Sequence, residues 1–194
     1  MSSELQSILR RLKPEKRLKR LRPRDIAELP FARSGLPPAG TAAQRWPRLL
    51  YDTTVYVDIL QGRFPDEADL MLHASDAWHS TVTEAELVAL CGLLNPGHPE
   101  TRKTIDRMMA VIEKRPAHRT IAPDREVWRE AGILTGILAR LQNYGHADRR
   151  RVLNDALLFS SARKHALTVF TRNIGDFDLL QQLDKSVRVL FYRV

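Results

Sequence analysis

The sequence predicts an α/β protein, a parallel sheet sandwiched by helices and preceded by a basic N-terminal arm. Three observations carry that expectation. From Leu49 onward, short apolar runs suited to buried strands alternate with longer segments of helical periodicity, the pattern of a parallel sheet covered on both faces. Charge divides the chain: of a net +8, all the excess lies in residues 1–48, which hold 12 Lys/Arg against 4 Asp/Glu. Pro and Gly crowd into residues 29–47, LPFARSGLPPAGTAAQRWP, which read as a linker or an extended wrap. The expected division is therefore an arm and linker over 1–48 and a folded domain over 49–194.

The elements follow in order. Leu5, Ile8, Leu9 and Leu12 have helical spacing over residues 3–13, Ser3 and Gln6 have capping-box spacing, and Pro14 stops the helix ahead of the basic tract EKRLKRLRPR. A strand is expected over 49–55, a helix over 66–77 and a short strand over 78–82. A helix then starts at Thr83, runs through EAELVALCGLL and stops at Asn95-Pro96-Gly97. Residues 100–114 read as helix, HRTIAP as extended, and Pro123-Asp124 as the opening of the long helix REVWREAGILTGILARLQ. The remainder reads as helix 152–165, strand 167–171, short helix 175–183 and strand 187–192.

Composition bounds the class. A chain of 194 residues, 43% hydrophobic, can bury one core of useful size. Cys91 is the one cysteine, which excludes an internal disulfide framework and suits a reducing compartment. No run approaches the roughly 20 apolar residues of a membrane span, and the first residues lack the apolar core of a signal peptide. A cytoplasmic protein with no membrane partner is expected.

The chemistry lies in acids at element junctions. In LLYDTTVYVDIL, Asp52 sits where an apolar segment enters a core, and a buried carboxylate costs several kcal/mol unless something compensates it. Glu86 in STVTEAEL, Asp155 in LNDALLFSSARKH and Asp176 in TRNIGDF recur at strand ends or on the first turns of helices, the edge at which parallel sheets bind ligands. Four carboxylates within ~5 Å would repel by about 3 kcal/mol per pair at an effective dielectric of 20. Protonation or bound cations relieve that repulsion, and an all-oxygen donor set suits Mg²⁺ or Mn²⁺ and phosphodiester hydrolysis. For Glu86 a competing reading is a capping box with Thr83; for Asp155, a complement to its helix dipole.

Neighbouring residues are assigned as follows. Thr54, Thr171 and Asn173 are candidates to orient a carboxylate or a water. Asp58 is expected at the far end of the first strand or in the turn after it, Asp178 in solvent, Glu84 facing solvent and Cys91 in the core. Trp78 and Trp128 are expected in the core or at a dimer face. Arg149, Arg150 and Arg151 in ADRRRV, with Arg172, are candidates to hold RNA phosphates that bare carboxylates would repel. The six histidines show no metal-ligand spacing, so zinc is not expected.

These blocks, with NDALLFSSARKHALTVFTRN and its closing DF as the most specific, resemble the PIN-domain ribonucleases, and among them the VapC-type toxins of toxin–antitoxin pairs. The resemblance spans about residues 49–192. It implies a flavodoxin-like parallel sheet, Mg²⁺- or Mn²⁺-dependent endoribonuclease activity, a homodimer and a small antitoxin partner that occludes the site. Residue by residue it carries the metal and catalytic roles to Asp52, Glu86, Asp155 and Asp176, with Asn173 in support. Thr54 stands where the family commonly has Asn or Ser, and keeps a hydroxyl. Two other readings stand beside it: a PIN-like RNA-processing nuclease outside toxin systems, and a non-catalytic RNA-binding protein using the basic arm.

Overall fold

Strands form where apolar side chains can be buried alternately on two faces. The computed structural model describes residues 3–32 and 47–194. Its five strands are β1 (Arg48–Tyr51), β2 (Asp76–Ser80), β3 (Thr120–Ile121), β4 (Thr168–Thr171) and β5 (Arg188–Phe191). They make one all-parallel sheet in the order β3-β2-β1-β4-β5. Central β1 is paired on both sides, Leu50 lying between Trp78 and Val169.

The two-residue period sorts the core into two layers. Leu49, Tyr51 and Phe170 pack against one group of helices, α2 (Thr53–Leu60), α3 (Asp66–Ala74), α4 (Thr81–Leu93) and α5 (Thr101–Glu113), through Val55, Ala68, Leu87 and Met108. Leu50, Val169 and Val189 face α1 (Ser3–Leu12), α6 (Arg125–Gln142), α7 (His146–Lys164) and α8 (Ile174–Leu183), through Leu12, Leu134, Phe159 and Leu180. The fold is thus the flavodoxin-like α/β sandwich. Among the described residues no helix is long and apolar enough to cross a membrane.

Some boundaries differ from expectation, for identifiable reasons. The first strand ends at Tyr51, and residues 53–60 are helical; a short, uniformly apolar run does not tell strand from buried helix. That places Asp58 on α2, completely buried, rather than at a strand end or turn. Asp178, expected in solvent, is also completely buried, on α8. Ser80, not Thr83, caps α4, its Oγ accepting from the Val82 amide at 3.1 Å, so Thr83 and Glu86 form no capping box. Thr83 instead donates to the Tyr51 carbonyl at 3.3 Å, tying α4 to β1. α7 starts six residues before the expected 152. Of the two places expected for Trp128, the core is excluded, since it is about half exposed.

The arm is docked over its described length. Ile8 and Leu12 of α1 are buried against the α6–α8 layer, and Arg11 pairs with the buried Glu130 at 2.8 Å and with Asp184. Arg24 binds Asp178 through its backbone amide, at 2.9 Å, and its guanidinium. The Phe191 amide donates to the Pro30 carbonyl at 2.8 Å, and the Ala32 amide donates to the Phe191 carbonyl at 2.7 Å, so the arm pairs with the edge of β5. The expected linker falls largely on 33–46, outside the described residues.

Candidate functional site

Strand order decides where a ligand crevice opens. β1, β2 and β3 lead outward to one side and β4, β5 to the other, so the topological switch point lies between the carboxyl ends of β1 and β4. Asp52 is the first residue past β1 and Thr171 the last of β4, and the Asp52 amide donates to the Phe170 carbonyl at 3.1 Å.

Asp52 is buried at 5% exposure, and its Oδ2 accepts from the hydroxyls of Thr54 and Thr171, both at 2.7 Å. Those hydroxyls are themselves aimed by the backbone after β4: the Arg172 amide donates to Thr54 at 3.2 Å and the Asn173 amide to Thr171 at 2.8 Å. Burial pushes the Asp52 carboxyl above its ordinary value, while the two hydroxyls and the amides of Thr53 and Thr54 hold it down.

Asp155, on α7, is 8% exposed. Burial first, then the charges of Asp52, Asp176 and Glu86, push its carboxyl well above the ordinary value. Asp176, one turn into α8, is 4% exposed. Asn173 caps that helix, its Oδ1 accepting from the Asp176 amide, and its Nδ2 donates to Asp155 at 3.2 Å and to Asp176 at 3.3 Å. Glu86, one and a half turns into α4, accepts from Asn154 at 2.8 Å and from the Thr53 hydroxyl. One carboxylate therefore comes from each of four elements: the β1–α2 junction, α4, α7 and α8.

Counter-charge is scarce. Among the described residues the one cation paired with these acids is Arg151, exposed, 3.5 Å from Asp176. The other partners are neutral: threonines, asparagines and Tyr144, which donates to Asp176 at 3.5 Å and whose hydroxyl burial, with the Asp176 charge, pushes up. A low-dielectric pocket of uncompensated carboxylates holds protons or hard cations. The donors are all oxygen, as Mg²⁺ and Mn²⁺ prefer. As the side chains stand, no three Asp, Glu, His or Cys groups among the described residues surround a single ion position. The donors fit the cation in kind, since a carboxylate oxygen that accepts a hydrogen bond keeps lone pairs for a metal.

The four acids expected from the sequence are brought together, with Thr54, Thr171 and Asn173 hydrogen-bonded to them. The arginines are not equivalent. Arg151 reaches the site, Arg149 donates to the Tyr144 carbonyl at 3.3 Å, Arg150 is exposed, and Arg172 is held at 2.7 Å by Asp58. Sequence reasoning did not single out Thr53, Asn154 or Tyr144. Asn154 adjoins Asp155 on a helix, and such neighbours point about 100° apart and flank a crevice; Tyr144 carries no local signal.

The chain is similar to solved structures. The structure of FitAB bound to an IR36 DNA fragment matches at TM-score 0.54 and 23% identity, covering 74% of this chain and 94% of that chain. FitAcB from Neisseria gonorrhoeae matches at 0.54 and 23%, covering 73% and 96%. DNA-bound VapBC from Salmonella typhimurium matches at 0.53 and 16%, covering 75% and 98%. Likeness at these identities establishes the shared fold. No protein-family model and no curated protein sequence matches the chain.

Proposed function

We propose that the chain is a metal-dependent endoribonuclease of the PIN type, with residues 49–194 as its nuclease domain, and the toxin component of a toxin–antitoxin pair. The observation that carries this reading is the meeting of four acids from four elements at the switch point, three of them buried, with one exposed arginine as counter-charge. Structural acids in a core are normally paired with cations. Leaving these unpaired is a cost that binding a divalent cation offsets.

In this reading Asp52, Glu86, Asp155 and Asp176 would hold Mg²⁺ or Mn²⁺. Bound there, the ion would supply an activated water and neutralise charge on the leaving oxygen of a phosphodiester. The rest falls to the protein. Thr54 and Thr171 fix the Asp52 carboxylate from two sides, so its orientation is set before substrate arrives. Asn173 donates to both Asp155 and Asp176, holding together two carboxyls that also meet each other directly, a contact that adds to the raised Asp155 carboxyl. Arg151 stands at the rim, where exchanging Asp176 for an RNA phosphate would anchor the strand, with Arg149 and Arg150 beside it. Arg172, committed to Asp58, would serve phosphates least.

FitAB and VapBC were solved bound to DNA, and VapBC carries the name of the toxin group that the sequence resembles. That likeness supports a cognate antitoxin for this chain; in this reading the chain is a homodimer, as the resemblance implies, and works in the reducing cytoplasm that its single cysteine suits. The test is cleavage of end-labelled RNA by the full chain with Mg²⁺, with Mn²⁺ and with EDTA. Cleavage that needs the ion and disappears in Asp52→Asn and Asp155→Asn supports the reading. RNA binding without cleavage under any divalent ion would replace it with the non-catalytic RNA-binding protein.

A further inference from the structure

The hollow beside Glu86 has no role in the chemistry above. It measures about 430 Å³ and lies between α4, α6 and α7. Glu86 and Asn154, hydrogen-bonded at 2.8 Å, belong to one wall and to the acidic site at once. Apart from Thr81 the rest of the lining is apolar, including Val82, Ala85, Pro123 and Leu157, with the indole of Trp128. α6 turns Val127, Ala131, Leu134 and Leu138 into the core but leaves Trp128 at 51% exposure. A large flat ring kept in solvent on a hollow that shares Glu86 with the acidic site is surface available to a ligand.

Resting on the nuclease reading, we infer that this hollow is a nucleobase subsite: Trp128 stacks the base of the nucleotide next to the phosphate held at the acids. The occupant follows from continuity. An RNA strand whose phosphate lies at Asp52 and Asp155 carries its next base past Glu86 and Asn154. There the lining offers a π-face and apolar walls rather than cations. Every base has such a face, so the contact is tolerant of sequence. Asn154, with one amide hydrogen committed to Glu86, keeps a carbonyl and a second hydrogen for a base edge. Stacking also supplies affinity that an acid-rich cleft does not draw from phosphates.

The experiment measures binding of a short single-stranded RNA carrying 2-aminopurine, whose fluorescence is quenched on stacking, to the full chain with Mg²⁺, read by rapid mixing before cleavage accumulates. Trp128→Ala should weaken binding roughly tenfold, within the range for one stacked base. It should also abolish the quench and leave the salt dependence of binding unchanged, because no phosphate contact is removed. Trp128→Phe should restore most of the affinity. An abasic nucleotide at the quenched position should weaken binding to the unmodified protein equally, and cost nothing more in Trp128→Ala. Unchanged RNA binding by Trp128→Ala overturns the subsite, as does a changed oligomeric mass with the quench intact, which would assign the ring to a protein interface. Because the readout needs no cleavage, a Trp128-dependent quench in a protein that cuts nothing keeps the subsite and removes the nuclease reading. Metal-dependent cutting with no quench does the reverse.

Discussion

Two sets of buried acids, in two cases only a few residues apart in the sequence, differ in what meets them. Asp58, Glu130 and Asp178 are completely buried, and each is met by arginine. Asp58 has Arg172 and Arg63, with the Tyr192 hydroxyl at 2.8 Å; Glu130 has Arg163 and Arg11; Asp178 has Arg24. Asp52, Asp155 and Asp176 are almost as buried, yet hydroxyls and amides meet them, with Arg151 alone at the margin. The first set fastens elements together: α2 to the end of β4, α1 to α6 and α7, and the arm to α8. The second set keeps negative charge unspent at the switch point. Burial alone does not separate structural from functional acids; the sign of what meets them does.

The largest effect that would break the comparison is on activity. Asp52→Asn or Asp155→Asn should lower metal-dependent RNA cleavage by more than ~100-fold, beyond what loss of a supporting residue costs. The same variants should melt no lower than the parent in EDTA, because like-charge repulsion is relieved. A clear fall in melting temperature for both would move these residues into the structural set. Asn173→Ala, touching two acids but central to neither, should cost about 10- to 100-fold in rate or metal affinity.

Next in size is the structural set. Asp58→Asn or Glu130→Gln leaves arginines without their counter-charge and should destabilise the fold by about 3 kcal/mol, read by urea titration. Leu12→Ala should cost about 2–3 kcal/mol in the same assay, since Leu12 is a core residue although it belongs to the arm. A cost near zero for Leu12→Ala would mean that the arm is not docked in solution.

The smallest effect is one of pH. The Asp155 carboxyl is raised in the folded state, by burial and then by the neighbouring acids. Between its unfolded and folded values the native protein therefore holds the proton that the unfolded chain has released. Stability of the metal-free protein should fall as pH rises from the ordinary carboxylate range through the raised value, then level off. Asp155→Asn should flatten that slope, and Mg²⁺ at saturation should oppose it. A slope that survives the substitution would have to come from Asp52, shifted in the same direction.

How much of this was legible follows from range. The strand–helix alternation and the acids Asp52 and Asp176 at element junctions are local features and were readable, whereas Asp155, expected on a first turn, is the tenth residue of α7 because that helix starts at His146. Asp58 and Asp178 were misplaced because the arginines that bind them most closely, Arg172 and Arg24, are 114 and 154 residues away. Asn154 was passed over because its partner Glu86 lies 68 residues earlier. The docking surface of α1 was visible as an apolar stripe, but what it covers was not.

By itself the sequence determined the period of its strands and helices, the concentration of basic charge in residues 1–48, and carboxylates where strands end. These depend on side-chain spacing within a few residues. Only the tertiary structure decided which carboxylates receive an arginine and which do not. It also decided that the switch point falls between β1 and β4, and that Trp128 stays at the lip of a hollow opening onto Glu86. The physical reason is that neutralising a buried charge requires a partner within a few ångströms, and folding brings Arg172 to Asp58 across 114 residues and Arg24 to Asp178 across 154, while Asp52 receives only the neutral Thr171 across 119.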